Sequence, residues 1–582
     1  MRRYGLGWVL LLSLAAIGSA HADKTPAMQY YDQIQQMRDD AYKLVDEKHP
    51  DPAHLQAAID TLHKALAILD EPLVEGLGDG NVHLSSRRSD TLFQLAEFYA
   101  LQGNKEAAMD ALEASNEEVW IPSFSSSYLR QDESLASLRN EPRFKAILAN
   151  SDAMNRLWNA KALATPYKPQ LSEAERVAGL SLFWSEVKYN FAHFDRVPQL
   201  DWDQTYLDFL PKVIAAKDTA SYYEVLMQLA PLLHDGHTNI YPPEALEDHF
   251  SASPPIDTGL VDGHVLITSV QSPTISRMGV HVGDEVISID GQDAHAYAEE
   301  HIAPFQSAET PQDRDVRLYN YGLLLGDVKQ PVRLTLRDAH GQTHDVTVSR
   351  GKYPDIQQRD GFSFRMLPGN IAYLALDEFV DNKGVKVFEA HMREIMQANG
   401  LILDVRDNGG GSSTYGFNVL TYLSEHPLPG LQGRELQISP YDRSNGQLIM
   451  QWKKLVDWGQ PYQRDHLNHF QKPVAVLIGP RSFSAAEDFV AVFKAMKRGP
   501  LVGSATGGSS GHPLLFDLPG GGKARICVVR ETFPDGTEFV GKGIEPDVVV
   551  TPTADDVRAH RDPVIERAAE LLRKRDAVMA SR

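Results

Sequence analysis

What this sequence lacks sets its first limits. It has 582 residues and one cysteine, Cys527, so no internal disulfide framework is available and packed cores have to hold the chain. Basic residues are short: 57 Lys and Arg stand against 78 Asp and Glu, a formal net charge of −21. That balance argues against nucleic acid and anionic membrane as main partners. Long apolar runs are missing too. The stretch at 8–17 falls well below the ~20 residues a spanning helix needs. No Gly-x-x-x-x-Gly-Lys-Ser/Thr loop and no His-Glu-x-x-His helix occurs, which removes the usual phosphate cradle and the usual zinc-peptidase pair. His466, Asn468 and His469 have no metal-ligand spacing. Neither a metal nor a cofactor is expected.

The length calls for three or four domains. The composition, 42% apolar and 23% charged, is that of a globular chain with several cores. Residues 1–22 read as an export signal: Arg2 and Arg3, the apolar stretch, then Ala20-His21-Ala22 before Asp23. An uncleaved anchor is the alternative. Export without disulfides suits a bacterial periplasm.

Residues 23–165 read as helical, with Leu55, Ile59, Leu62, Leu66 and Leu69 on one 3.6-residue stripe. A helix, a turn at Gly103-Asn104 and an Ala-rich helix resemble a tetratricopeptide unit, TPR-like, although any α-hairpin would pack small residues this way. Such a region could serve a protein partner. Residues 166–253 form a second helical block, dense in aromatics, whose last helix ends at His234-Asp235-Gly236-His237, with Gly236 as the stop. Residues 254–352 carry short alternating strands. Their segment 278–291 (MGVHVGDEVISIDG) resembles a PDZ domain of the bacterial protease type. That resemblance implies peptide capture on a sheet edge, with Thr258, Gly259 and Leu260 as the carboxylate-holding loop. Residues 353–556 alternate strand and helix, an α/β pattern. A terminal helix fills 557–582.

The chemistry centres on residues 473–487, PVAVLIGPRSFSAAE. An apolar β-branched run stops at Gly479-Pro480, and Ser484 opens the following helix. Free N–H groups and the helix dipole meet there, as an oxyanion requires. Ser484 and Glu487 also fit a capping box, so this stretch alone decides nothing. Four ordered motifs add to it: LILDVRDNGGG (401–411), RSFSAAEDF (481–489), VGSATGG (502–508) and PDGTEFVGKGIEPDVVV (534–550). Together they resemble the tail-specific protease and tricorn family of serine peptidases, the C-terminal processing peptidases. The resemblance implies a multidomain α+β protein whose α/β core is of the ClpP/crotonase type.

That family divides by its general base. Tail-specific members place a lysine 25 positions after the serine. Here that position is Ser509, and 507–512 contains no lysine. Tricorn-like members use a histidine from the preceding helical block, and Leu233-His234-Asp235-Gly236-His237-Thr238 matches that motif, with His237 as the base. A histidine near ~6.5 predicts that activity falls as pH drops through ~6–7. Glu538 is the expected orienting carboxylate: in some relatives the acid sits where Val540 stands here, and residues two apart share a strand face. Ala485 and either Gly409 or Gly410 would supply the oxyanion N–H groups. His512 is an alternative base, His234 a solvent-facing residue, and Cys527 a buried small side chain. The expectation is an exported serine peptidase acting on peptides or unfolded protein tails. A catalytically inactive peptide-binding scaffold of the same fold and an esterase are the competing readings.

Overall fold

A computed structural model describes residues 26–78, 82–117, 126–158, 162–352, 361–447, 450–455, 462–464, 466 and 468–580. The export signal expected at 1–22 lies outside them. The chain is a mixed helix-and-sheet protein. Its N-terminal part is helical, including Pro26–Leu44, Pro52–Leu69, Val82–Gln102 and Lys105–Glu117. Asp51 caps the second of these by accepting from the Ala53 and His54 N–H groups. The predicted stripe turns inward: Leu55, Ile59, Leu62 and Leu69 are buried. Gly103, at φ +82°, makes the tight turn between the last two helices, a conformation that glycine adopts without strain.

The helices Glu173–Asn190, Trp202–Ala215 and Thr219–Met227 follow. Their core does not close on itself. Phe183, Phe191, Tyr222, Tyr223 and Leu226 pack in one cluster with Leu518, Ala524, Ile526 and Cys527 from far along the chain. The link is a strand pairing: Asn239–Tyr241 runs antiparallel to Lys523–Cys527, with Asn239 opposite Arg525 and Tyr241 opposite Lys523. The block expected at 166–253 is therefore welded onto the α/β stretch expected at 353–556, through residues 518–527.

Residues 256–348 build a separate antiparallel sheet with Ile256–Val261 at one edge and Thr343–Val348 at the other. Val332–Arg337 alternates buried and less buried positions, the period-two signature. Thr258, Gly259 and Leu260 correct an expectation. They lie inside the edge strand, opposite Ile267, Leu266 and Val265, and not in a loop. The Thr258 side chain is buried and donates to the Tyr319 carbonyl at 2.5 Å. The turn falls later, at Asp262-Gly263, where both φ values are positive.

The central sheet has six strands in the order Val548–Val549, Leu501–Gly503, Val474–Ile478, Gly400–Asp404, Ile371–Leu376, Phe362–Leu367. All neighbours are parallel except the last pair. Every residue of Ile371–Leu376, Gly400–Asp404 and Val474–Ile478 is buried, as parallel strands covered on both faces must be. Each large apolar side chain so buried contributes about 2 kcal/mol. One face packs on Phe388, Val419, Phe489 and Phe493. The other packs on Val564, Ala568 and Leu572 of the terminal helix Pro563–Ala580. That helix is thus the second cover of the sheet.

Candidate active site

Ser484 stands where the strand Val474–Ile478 hands over to the helix Ala485–Met496. Its backbone sits at φ 58° and ψ −128°. For a non-glycine residue such a conformation costs of order 1–3 kcal/mol and persists only when its surroundings fix it. Here they do. The Ser482 hydroxyl donates to the Val405 carbonyl at 2.6 Å. The Phe483 N–H reaches the Asn408 carbonyl and the Ser484 N–H the Ser509 carbonyl, both at 3.0 Å. The Ser484 side chain caps nothing. Glu487 does not reach back either; it is occupied elsewhere. The capping-box reading fails on both counts.

The ring of His237 comes across 247 residues of sequence to Ser484. Its Nε2 is 2.9 Å from Ser484 Oγ, and its Nδ1 is 2.8 Å from Ser509 Oγ. The ring stacks on Phe483 with centroids 4.7 Å apart and planes at 22°. The His237 N–H donates to Asp235 Oδ1 at 2.9 Å. Gly236 is required by packing, since a Cβ there would meet Asp313 and the Phe483 ring at 3.0 Å. The helix stop expected of Gly236 is made by His234 instead, exposed and left-handed at φ 48°. Burial drives His237 well below the ordinary histidine value, and the guanidinium groups of Arg525 and Arg317 push the same way. The ring is neutral at neutral pH. A neutral ring that accepts at Nε2 carries its proton at Nδ1, facing the Ser509 oxygen.

Ser509 is anchored in turn. Its N–H donates to Glu487 Oε2 at 2.7 Å, while the Gly508 N–H and the Thr506 hydroxyl donate to Oε1 at 2.9 and 2.5 Å. Glu487 is fully buried, and burial pushes its carboxyl up to about 8 against the pull of these donors. Asn408 organises the glycine loop: its Oδ1 accepts from the Gly410 N–H at 2.9 Å, and its Nδ2 donates to the Leu376 carbonyl at 2.7 Å. Gly410, at φ +101°, lies so close that a Cβ would come within 2.7 Å of Ser484 Cβ. Its N–H is therefore engaged. Among the described residues the N–H groups of Gly409 and Ala485 have no acceptor. Both glycine 409 and Ser484 line a cleft of about 330 Å³ together with His237, Arg317, Arg481 and Arg525.

Two expected residues are elsewhere. Glu538 accepts from Arg434 at 3.3 Å and faces Arg530 at 3.6 Å, while Ser509 holds the His237 nitrogen meant for it. The period-two argument behind Glu538 presupposed a strand, and 537–540 is irregular. His512 is exposed and stands toward Asp488. Sequence reasoning missed Ser509, Glu487, Asp235 and Asn408. Ser509 carried a signal, its place 25 residues after Ser484, but it registered there only as a missing lysine.

One buried group has metal-ligand chemistry among the described residues: His193, Asp235 and Cys527, with donor atoms within 4.8 Å of one another. Burial, and after it the nearby Arg196 and Arg530, lower the pKa of His193, and such cationic neighbours disfavour a further cation.

Residues 370–550 match the profile described as Peptidase family S41. A carboxy-terminal-processing protease of Bartonella bacilliformis is 23% identical over 294 residues, 49% of this chain and 58% of that protein. A carboxyl-terminal-processing protease of a Picosynechococcus species is 22% identical over 353 residues, 59% of this chain and 75% of its own length. The solved structure of mature CPAF complexed with lactacystin has the same fold, with a TM-score of 0.55 at 16% identity over 70% of this chain and 98% of that one. The class this stretch resembles is that of the serine-type peptidases. Within that class, residues 370–550 are similar to peptidase family S41; the sequence matches span 58% and 75% of the two relatives' lengths.

Proposed function

We propose that this chain is an exported, periplasmic peptidase that cleaves peptides or unfolded protein tails through an acyl-enzyme on Ser484, with His237 as general base. The observation that carries the reading is the 2.9 Å approach of His237 Nε2 to Ser484 Oγ. As Oγ attacks the scissile carbonyl, Nε2 takes its proton and returns it to the leaving amine; water then repeats the sequence to free the acid. The developing oxyanion lies toward the N–H groups of Gly409 and Ala485, at the positive end of the helix Ala485–Met496. Gly410 shapes this loop with its N–H committed to Asn408 Oδ1. Ser509 takes the orienting place that a carboxylate holds in the Ser-His-Asp arrangement. It accepts from Nδ1 and fixes the tautomer, braced by Glu487, but adds no negative charge beside the imidazolium. The PDZ-like sheet would position a chain end, and the TPR-like helices would engage a protein partner.

A fluorophosphonate probe tests the core of this. Peptide mapping should find the adduct on Ser484 and none on the Ser484→Ala protein; labelling that survives the substitution sinks the assignment. The absence of a carboxylate at His237 Nδ1 favours, as a second reading, an inactive peptide-binding scaffold. That reading expects no adduct on the unaltered protein.

A further inference from the structure

Three arginines line the Ser484 cleft in a chain whose net charge is −21, and they are not equivalent. Arg481 is paired with Asp407. Arg317 is paired with Asp313 at 2.9 Å and also donates to the Gly236 carbonyl at 3.1 Å. Arg525 has no carboxylate partner among the described residues. Its Nε donates to Asn239 Oδ1 at 2.8 Å, and its guanidinium leans toward the Tyr241 ring, 5.6 Å from the centroid. Among the described residues the remaining guanidinium donors of Arg525 have no acceptor, and Arg525 borders the cleft. The strand pairing sets Arg525 opposite Asn239, which follows His237 by two residues.

Beyond the arginines lies a second cavity of about 390 Å³. Its walls mix apolar residues, Met227, Ile240, Phe250, Ile302 and Phe305, with polar ones that include Glu224, His301 and Gln306. Arg317 and Arg525 line both spaces. The order is therefore nucleophile, guanidinium pair, second cavity. The strand Asn239–Tyr241 lines the second cavity and has one strand neighbour, Lys523–Cys527, leaving an edge on which an extended peptide can pair.

We propose that Arg525, backed by Arg317, is a carboxylate subsite between the Ser484 cleft and the second cavity, selecting peptides that carry a carboxylate close to the bond to be cut. A guanidinium binds a carboxylate through paired, charge-assisted hydrogen bonds that a neutral amide reproduces poorly. Both an Asp or Glu side chain and a chain-terminal carboxylate offer that chemistry. The subsite rests on the peptidase reading for its purpose but not for its test.

The test uses Ser484→Ala protein and fluorescent peptides that differ only in one group: internal Glu against Gln with an amidated end, and a free against an amidated end with internal Gln. Anisotropy should show at least about tenfold tighter binding for a carboxylate in one of the two pairs, the size of one charge-assisted contact. Which pair responds identifies the source. In Ser484→Ala/Arg525→Gln the ratio should fall to near one, and in Ser484→Ala/Arg525→Lys much of it should remain, which separates lost recognition from lost folding. A ratio near one in both pairs for Ser484→Ala, or a ratio that Arg525→Gln leaves intact, overturns the subsite. Binding without any fluorophosphonate labelling of the unaltered protein would defeat the peptidase reading and leave the subsite standing.

Discussion

The central sheet contains two strand-to-helix turns that look alike in sequence and do different work. Gly400–Asp404 and Val474–Ile478 are adjacent, parallel and fully buried. Each runs into a glycine-bearing turn and then a helix preceded by a serine, Ser412 and Ser484, and neither serine caps its helix through its side chain. The difference is in the backbone. Ser484 is held at φ 58°, Ser412 at an ordinary −107°. The first turn relaxes around glycines and presents the unbonded N–H of Gly409; the second stores its strain at one serine and presents a hydroxyl. A helix N-terminus becomes a candidate nucleophile site when a second turn is packed against it, as Gly410 is packed on Ser484. Strand plus glycine plus serine is not sufficient.

The comparison breaks most severely at Ser484. Ser484→Ala should lower kcat/KM on a peptide substrate by about 10⁴-fold or more, the scale seen when a serine nucleophile is removed. A smaller loss would mean that the two turns do not divide the labour as described. Gly410→Ala attacks the contact between them. Its Cβ would need the space that Ser484 Cβ fills, at a φ of +101°, so the Ser484 geometry or the loop must shift. A misplacement of about 1 Å near the reacting atoms costs about 10²-fold. Near-normal kcat for this variant would show the packing to be incidental.

Ser509→Ala asks whether the second turn needs outside support. Removing the hydroxyl leaves Nδ1 of a buried ring without its partner, and one hydrogen bond of that kind is worth about 1–3 kcal/mol. The loss should be about tenfold to a hundredfold in kcat, with Ser509→Thr recovering part of it. The pH profile of the unaltered enzyme sharpens the point. Because burial and two arginines hold His237 well below the usual value, the acid limb should lie lower than the ~6–7 of an unperturbed histidine. The same depression has a cost in stability. Between the folded value and ~6.5 the unfolded chain binds a proton that the native ring refuses, so His237 makes the fold less stable as pH falls through that window. An acid limb at 6.5 or above would mean that the ring is solvated during turnover.

How far these features could be read in advance follows from their locality. Ser484 and Ala485 were legible because an apolar run, a Gly-Pro break and a helix lie within fifteen consecutive residues. His237 was legible through its motif, although what carries it to Ser484 is a strand pairing between 239–241 and 523–527 that no local pattern announces. Glu487 was hidden by its own spacing. Three residues after a serine at a helix start, it looked like a cap, and only the fold turns it toward Thr506, Gly508 and Ser509. Thr258 to Leu260 and Glu538 misled for one shared reason: each inference assumed the local backbone, loop in the first case and strand in the second, and the backbone is the reverse.

The smallest effect is expected at Ser412, and it is the one that keeps the comparison honest. Ser412 is exposed, its N–H donates to the Phe379 carbonyl at 2.8 Å, and its side chain caps nothing. Ser412→Ala removes no described contact and leaves the backbone bond that anchors the glycine loop. Its kcat/KM should stay within about twofold of the unaltered enzyme, as surface changes away from special features usually stay within about 0.5 kcal/mol. A loss approaching that of Ser509→Ala would mean that the first turn contributes a side chain as well as an N–H. The division between a turn that donates and a turn that attacks would then have to be redrawn.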